Sequence, residues 1–84
     1  MGLTKRPTPV KLARKLALIR KRLGLSQNEM LRELGLEGVY ERSTISGYER
    51  GEREPPLPVV LKYARLVGIS TDVLIDDKLK LPDK

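Results

Sequence analysis

Apolar residues recur along this chain in short runs with helical spacing, and glycines separate the runs. The first run predicts a helix whose apolar face is formed by Leu12, Leu16, Ile19 and Leu23. Thr8 is a suitable N-cap and Pro9 a suitable first helical residue, so this helix is expected to begin at Pro9. Gly24 predicts its end, because glycine readily adopts the left-handed conformation that closes many helices.

The second helix is indicated by its first turn. Ser26 and Glu29 have the spacing of a capping box, in which each side chain accepts a hydrogen bond from the backbone N–H of the other residue. Gly35 ends this helix, and residues 36–41 are expected to connect it to the next one. Its apolar face is formed by Met30, Leu31 and Leu34.

Three more helices are predicted after this connector. The third runs from Arg42 or Ser43 to Arg50, and its core residues are Ile45 and Tyr48. The fourth begins near Leu57, after a proline-containing loop, and its apolar positions are Val60, Leu61, Ala64 and Val67. Ser70 or Thr71 caps a short fifth helix, whose apolar residues are Val73, Leu74 and Ile75.

The fold class that follows is all-α. Five short helices are expected to form a compact bundle around one apolar core. Residues 9–77 are predicted to form the domain, residues 1–8 a flexible N-terminal arm, and residues 78–84 a frayed C-terminal tail. The chain shows no strand pattern and no internal repeat.

Composition excludes several kinds of site. The 84 residues contain neither cysteine nor histidine, so the chain has no disulfide, no thiolate metal site and no histidine general base. We therefore expect no enzyme activity, no metal and no cofactor. No apolar run approaches the ~20 residues of a membrane span, and no signal peptide is recognisable. We expect a cytoplasmic protein that does not bind membranes.

The net charge of +6 is unevenly distributed. Residues 1–24 contain eight basic side chains and no acidic one, whereas residues 25–54 contain four arginines and seven glutamates. A basic chain is typical of proteins that bind polyanions such as nucleic acids. The segment that holds the second and third helices is nevertheless net acidic, which conflicts with a simple DNA-binding interpretation.

Several short motifs occur in an order that resembles the Cro/C1-type helix-turn-helix domain of phage repressors and of the bacterial XRE regulators. The motifs are Leu23-Gly24-Leu25-Ser26-Gln27, Thr44-Ile45-Ser46, Tyr48-Glu49-Arg50-Gly51 and Leu61-Lys62-Tyr63-Ala64. The resemblance covers about residues 15–75. It implies a sequence-specific, repressor-like transcriptional regulator that binds double-stranded DNA as a homodimer and reads the major groove with its third helix.

The resemblance also implies roles for individual residues. Arg20 and Glu49 match an arginine–glutamate pair that joins the first helix to the third. Gln27 matches a glutamine that binds a backbone phosphate, and Asn28 beside it offers the same amide chemistry. The remaining residues expected to contact bases or phosphates are Arg42, Ser43, Thr44, Ser46, Gly47, Arg50 and Arg53.

Two features depart from the family pattern. Nine residues separate Gly35 from Ile45, more than the family usually has, so residues 37–40 look like an insertion in the turn. Leu31 occupies a position where the family has a small residue, usually alanine, which predicts a wider or repacked unit. The insertion leaves two starts for the third helix open, with Glu41 as N-cap by alignment and Ser43 as N-cap by chemistry.

Two charged groups have alternative interpretations. Lys5 and Arg6 form either an arm that follows the DNA or a solubilising tail. The carboxylates near the fifth helix could belong to a metal cluster, but the acidic end of a capped helix explains them better. These carboxylates are Asp72, Asp76 and Asp77.

A protein partner remains a second possibility. Val39 and Tyr40 are apolar residues in a turn that should be polar, and they either pack under the turn or contact a partner. The alternative function is therefore a protein-interaction module with the same fold, such as an adaptor or an antitoxin. Homodimerisation is plausible through the fifth helix at Leu74 and Ile75, although these residues could equally close the core.

Overall fold

The computed structural model describes residues 10–82, so the predictions on Lys5, Arg6, Thr8 and Pro9 lie outside the described residues. It confirms the all-α prediction, with five helices and no strand between residues 10 and 82. The helices are α1 (Leu12–Leu23), α2 (Gln27–Glu33), α3 (Arg42–Glu49), α4 (Leu57–Val67) and α5 (Thr71–Ile75). In the same range, no helix combines the length and apolar character that a membrane span requires.

The first helix begins later than predicted, at Leu12 instead of Pro9. Lys11 is its N-cap and makes no side-chain capping bond. The carboxylate of Asp77 instead accepts hydrogen bonds from the backbone N–H groups of Val10 and Lys11, at 2.9 and 3.0 Å. The start of α1 is thus capped by a residue that lies beyond α5, which local sequence does not reveal.

The ends of the other helices follow local chemistry. Ser26 and Glu29 form the predicted capping box, with N–H···O distances of 3.0 and 2.7 Å. The hydrogen bond that the Ser26 N–H donates to the Glu29 carboxylate lowers the pKa of this carboxyl below its usual range. Ser70 caps α5 by accepting a hydrogen bond from the N–H of Asp72. Gly24 and Gly68 close α1 and α4 in the left-handed conformation.

The N-cap of α3 is Glu41, as the alignment predicted, and the expectation that Ser43 caps this helix is wrong. Glu41 has the extended backbone of an N-cap, and its carbonyl accepts a hydrogen bond from the N–H of Thr44. Its side chain makes no capping bond. The preceding turn therefore sets the register of α3, and Ser43 is already helical.

The core lies where α1 packs against α3 and α5, where α2 packs against α3, and where α4 packs against α5. Leu31 is buried there, despite its size. The largest fully buried side chains are Tyr63, Leu16, Met30, Ile45 and Leu74. Three predicted core residues are instead more than a third exposed: Leu23, Leu61 and Ile75. On α4, the stripe is shifted so that Val59 and Tyr63 are buried together with Val60 and Ala64.

Residues 78–82, the described part of the predicted C-terminal tail, are mostly exposed. These residues contain no helix. Leu81 nevertheless packs against the core, and the guanidinium of Arg22 donates a hydrogen bond to the carbonyl of Pro82.

Candidate nucleic-acid interface

One face of α3 is free of the core. Arg42, Ser43 and Arg50 are exposed, and Ser46 is half-buried. Their spacing places them on one side of a helix, opposite Ile45, which is fully buried. The side chains on this face can donate to phosphates and to the edges of bases.

Thr44 and Gly47 are not on this free face, although the sequence analysis grouped them with the base-contacting residues. Thr44 is only 8% exposed and faces the interior. Gly47 is also buried, because the side chain of Arg53 lies across it. A Cβ atom at Gly47 would lie 3.0 Å from the Cγ and Cδ atoms of Arg53. The absence of a side chain at this position therefore lets Arg53 lie close against α3.

A charged network joins α1, α2 and α3 beside this face. Arg20 and Glu49 form the predicted ion pair as a bidentate contact, with N···O distances of 2.7 and 2.9 Å. Arg20 also donates to the carbonyl of Leu25 at 2.8 Å. The side chains are only 16% and 7% exposed. The bond to Glu49 raises the pKa of the Arg20 guanidinium.

The same network holds Gln27, the residue expected to bind a phosphate. Its side-chain amide donates a hydrogen bond to Glu49 at 3.3 Å. Because Glu49 is itself fixed by Arg20, the position of the Gln27 side chain depends on α1 and α3 as well as on α2. Asn28, the next residue, is exposed.

Tyr63 of α4 lies beneath this network. Burial raises the pKa of its hydroxyl well above the usual range, and the nearby charge of Glu49 adds to the shift. Its hydroxyl oxygen is buried and has no hydrogen-bond partner among residues 10–82. Tyr63 therefore places a buried hydroxyl without a hydrogen-bond partner in the described residues near the ion pair.

Arg50 and Arg53 border the free face at the C-terminal end of α3. Arg50 pairs with Glu52 at 2.9 Å in an exposed contact, which a phosphate could replace at little cost. Arg53 is exposed at its charged end while its stem covers Gly47. Both arginines are therefore exposed beside the free face of α3.

The inserted turn between α2 and α3 is well ordered by its own hydrogen bonds. The carbonyl of Leu36 accepts from the N–H groups of Val39 and Tyr40, at 2.9 and 3.0 Å. Leu36 is buried, and Tyr40 is half-buried against the core. Tyr40 therefore packs under the turn, whereas Val39 at its tip is 67% exposed.

A contact between α1 and α5 was not predicted from the sequence. Lys15 is only 6% exposed, and its ammonium donates to the carbonyls of Val73 and Asp76 at 2.7 and 3.0 Å. One signal was available, because Lys15 interrupts the apolar face of α1 between Leu12 and Leu16. We call this contact and the Asp77 cap together the Lys15–Asp77 clamp. In the clamp, Lys15 of α1 binds the backbone at the end of α5, and Asp77, which follows α5, binds the backbone at the start of α1.

Two of the acidic residues near α5 accept hydrogen bonds, one in this clamp and one in a local turn. Asp76 accepts a hydrogen bond from the N–H of Lys78, and Asp77 caps α1. No group of three or more acidic side chains that could hold a metal ion occurs in the described part of the chain.

A family model described as a helix-turn-helix domain matches residues 11–77, most of the chain. This chain belongs to the Cro/C1-type, XRE-like helix-turn-helix family. Its function is that of a sequence-specific DNA-binding transcriptional regulator. Among curated proteins, no relative matches at a significant level.

Three solved structures show the similarity in detail. The restriction-modification controller protein C.AhdI from Aeromonas hydrophila is 35% identical, with a TM-score of 0.64, and the match covers 79% of this chain and 94% of that one. The hypothetical transcription factor NHTF from Neisseria is 26% identical, with a TM-score of 0.66, over 99% of this chain and 90% of that one. The P22 c2 repressor in complex with a synthetic operator is 24% identical, with a TM-score of 0.66, and covers 79% and 94%. At that identity, the P22 repressor supports the fold alone.

Proposed function

We propose that α3 lies in the major groove of double-stranded DNA and reads bases with Arg42, Ser43 and Ser46. The observation that carries this proposal is the free face of α3, which combines donors with a small half-buried serine beside an ordered network. Arginine can bind guanine O6 and N7 through two hydrogen bonds, and serine can bind several base edges. Thr44 and Gly47 are left out of the base-reading set because they are buried.

Phosphate binding is assigned to residues on both sides of this face. Gln27 and Asn28 lie in the first turn of α2, where free backbone N–H groups and the helix dipole favour an anion. Arg50 and Arg53 lie at the opposite end of α3. The two groups would hold the DNA backbone on either side of the major groove.

The acidic charge of residues 25–54 does not oppose this proposal as strongly as composition suggests. Glu49 is neutralised by Arg20, and Glu52 pairs with Arg50. Glu37 lies 3.6 Å from Arg32, and Glu29 is held in the capping box. Much of the negative charge therefore lies in local pairs and caps instead of on the free face of α3.

The N-terminal residues would add basic charge near the DNA. Val10, the first described residue, borders the same cavity as Gly51 and Arg53. Lys5 and Arg6 precede Val10 in the sequence, and of their two interpretations we propose the arm that follows the DNA.

We further propose that the regulator is a homodimer and acts as a repressor. The exposed apolar residues Leu57, Leu61 and Ile75 lie around one cavity between α4 and α5. Leu74 is fully buried, so among the two predicted residues only Ile75 is available for this contact. In a two-fold dimer the same patch on each subunit would be covered by its copy. We expect Leu61→Lys to yield monomers in sedimentation experiments, while Leu18→Lys, on α1, leaves the dimer intact.

The experiment that tests the function is selection from a random duplex library at about 150 mM salt, where non-specific phosphate binding is weak. We expect an enriched inverted repeat. Arg42→Ala should cost about 1–3 kcal/mol of binding and relax preference at one base position. Arg14→Ala, an exposed arginine on α1, is the matched control and should keep the wild-type preference.

Absence of any enriched sequence from folded wild-type protein would contradict DNA reading. It would favour the alternative of a protein-interaction module, such as an adaptor or antitoxin, with the exposed Val39 as its first candidate contact.

A further inference from the structure

The inserted turn presents one apolar side chain to solvent in a fixed position. Leu36 and Tyr40 anchor the turn in the core, and hydrogen bonds to the Leu36 carbonyl close it. Gly38 has a φ of +85°, a conformation that residues with a side chain rarely adopt. Val39 is nevertheless 67% exposed, so it contributes little to the core that holds the turn in place. Its ordered exposure suggests a contact with another molecule.

The position of Val39 extends the free face of α3. It lies two residues before Glu41, the N-cap, and three before Arg42. In helix-turn-helix proteins, the N-terminal residues of the reading helix lie deepest in the major groove. A side chain just before that helix therefore lies at the groove, close to the bases that Arg42 would contact.

The charged residues of the turn favour a contact with DNA bases over a contact with the DNA backbone. Glu37 and Glu41 flank Val39, and both carboxylates are exposed, although that of Glu37 lies 3.6 Å from Arg32. Phosphates would repel them. The base edges in the major groove offer amino groups of cytosine and adenine to carboxylates, and the 5-methyl group of thymine to an apolar side chain.

We propose that Val39 contacts a pyrimidine 5-methyl group in the major groove and so adds one base preference to those read by α3. The contact is between the valine methyl groups and the methyl carbon on C5 of thymine, or of 5-methylcytosine, which presents the same group. This inference rests on the proposed function, because it requires α3 to lie in the groove.

The experiment replaces each thymine of the selected operator in turn with uracil, which removes the methyl group and keeps the base-pairing edge. At one position in each half-site, we expect uracil to lower wild-type affinity about three- to fivefold, the effect of burying one methyl group. Val39→Ala should bind the thymine operator as weakly as the wild type binds the uracil operator. It should also show no further loss with uracil.

A second arm identifies the source of the methyl group. If the base at that position is cytosine, 5-methylcytosine should raise wild-type affinity by a similar factor and leave Val39→Ala unchanged. Leu18→Ala is the matched control, since Leu18 is an exposed apolar residue on α1. It should retain the wild-type response to uracil at every position. Thermal melting of both variants should match the wild type, because neither side chain is in the core.

The outcomes separate this inference from the proposed function. An inverted repeat bound with identical uracil profiles by wild type and Val39→Ala would overturn the role of Val39 and leave DNA reading by α3 intact. Val39 would then be assigned to a protein contact. Failure of the wild type to bind any duplex would overturn both proposals.

Discussion

The two ends of α1 are held by different kinds of contact. At the C-terminal end, Arg20 forms a bidentate ion pair with Glu49 of α3, so two side chains hold each other. At the N-terminal end, Lys15 binds carbonyls at the C-terminal end of α5, and Asp77 binds the N–H groups before α1. Both ends use charge, but only the first places its charges beside the proposed DNA-binding face.

This difference shows that some charged residues of this small domain stabilise the fold alone, whereas others also support the proposed DNA-binding face. The Arg20–Glu49 pair also holds Gln27, so a change there alters both stability and phosphate binding. The Lys15–Asp77 clamp holds helix ends and touches no residue assigned to DNA. Damage to the clamp should therefore reduce stability and leave the DNA contacts of α2 and α3 in the folded protein unchanged.

The largest effect is expected from Glu49→Ala. It leaves the largely buried Arg20 guanidinium without its partner, which should cost about 3 kcal/mol of unfolding free energy. For a domain of this size, Tm should fall by more than about 10 °C. DNA affinity at a temperature where the variant is folded should also fall, because Gln27 loses its support.

Glu52→Ala is the control for this prediction, since Glu52 pairs with Arg50 in an exposed contact. It should leave Tm unchanged in a thermal melt followed by circular dichroism. Equal Tm values for Glu49→Ala and the wild type would show that the ion pair does not stabilise the fold.

Lys15→Met should have the next largest effect. Methionine preserves most of the buried stem but removes two hydrogen bonds from a charged donor, so we expect a loss of about 2 kcal/mol. Amide hydrogen exchange should increase in α5 more than in α3. Lys11→Met, which removes an exposed ammonium from the neighbouring turn, should leave both measurements unchanged.

Gly47→Ala should change stability and DNA binding in opposite directions, because it should raise Tm and weaken binding. Alanine in a helix is more favourable than glycine by about 1 kcal/mol, and the clash is with the flexible stem of Arg53. We expect a slightly higher Tm and weaker DNA binding, because Arg53 must move away from α3. Tighter binding, measured by titration with the selected operator, would contradict the phosphate role of Arg53.

The smallest expected effect is the pH dependence of the stability contributed by Asp77. Hydrogen bonds from the N–H groups of Val10 and Lys11 lower the pKa of the Asp77 carboxyl. Its contribution to stability is therefore present above the unfolded pKa of about 3.9 and is lost as pH falls through the lower folded value. Asp77→Asn should lower Tm near pH 6, and its difference from the wild type should shrink at the acidic end of the folded range. A difference independent of pH would exclude the carboxylate charge as the cause.

The sequence predicted those features that arise from local patterns. The capping box at Ser26, the stops at Gly24 and Gly68, and the core residues Ile45 and Tyr48 all depend on neighbours close in the chain. The Arg20–Glu49 pair was predicted at long range because both partners are side chains within recognisable motifs.

The features that were missed depend on groups that carry no sequence signature. Backbone carbonyls near α5 hold Lys15, and backbone N–H groups before α1 hold Asp77. Gly47 and Thr44 were assigned to the DNA-binding face because the register of α3 and the path of Arg53 are set by loops. The tertiary course of a loop decides which side of a short helix is free, and the sequence does not specify that course locally.

The Lys15–Asp77 clamp also determines where attached chains leave the domain. Because the N–H of Val10 lies 2.9 Å from the Asp77 carboxylate, the chain enters and leaves the helical bundle at nearly the same point on its surface. Loss of the Asp77 carboxylate would therefore free the chain at residue 10 and at residue 77 together.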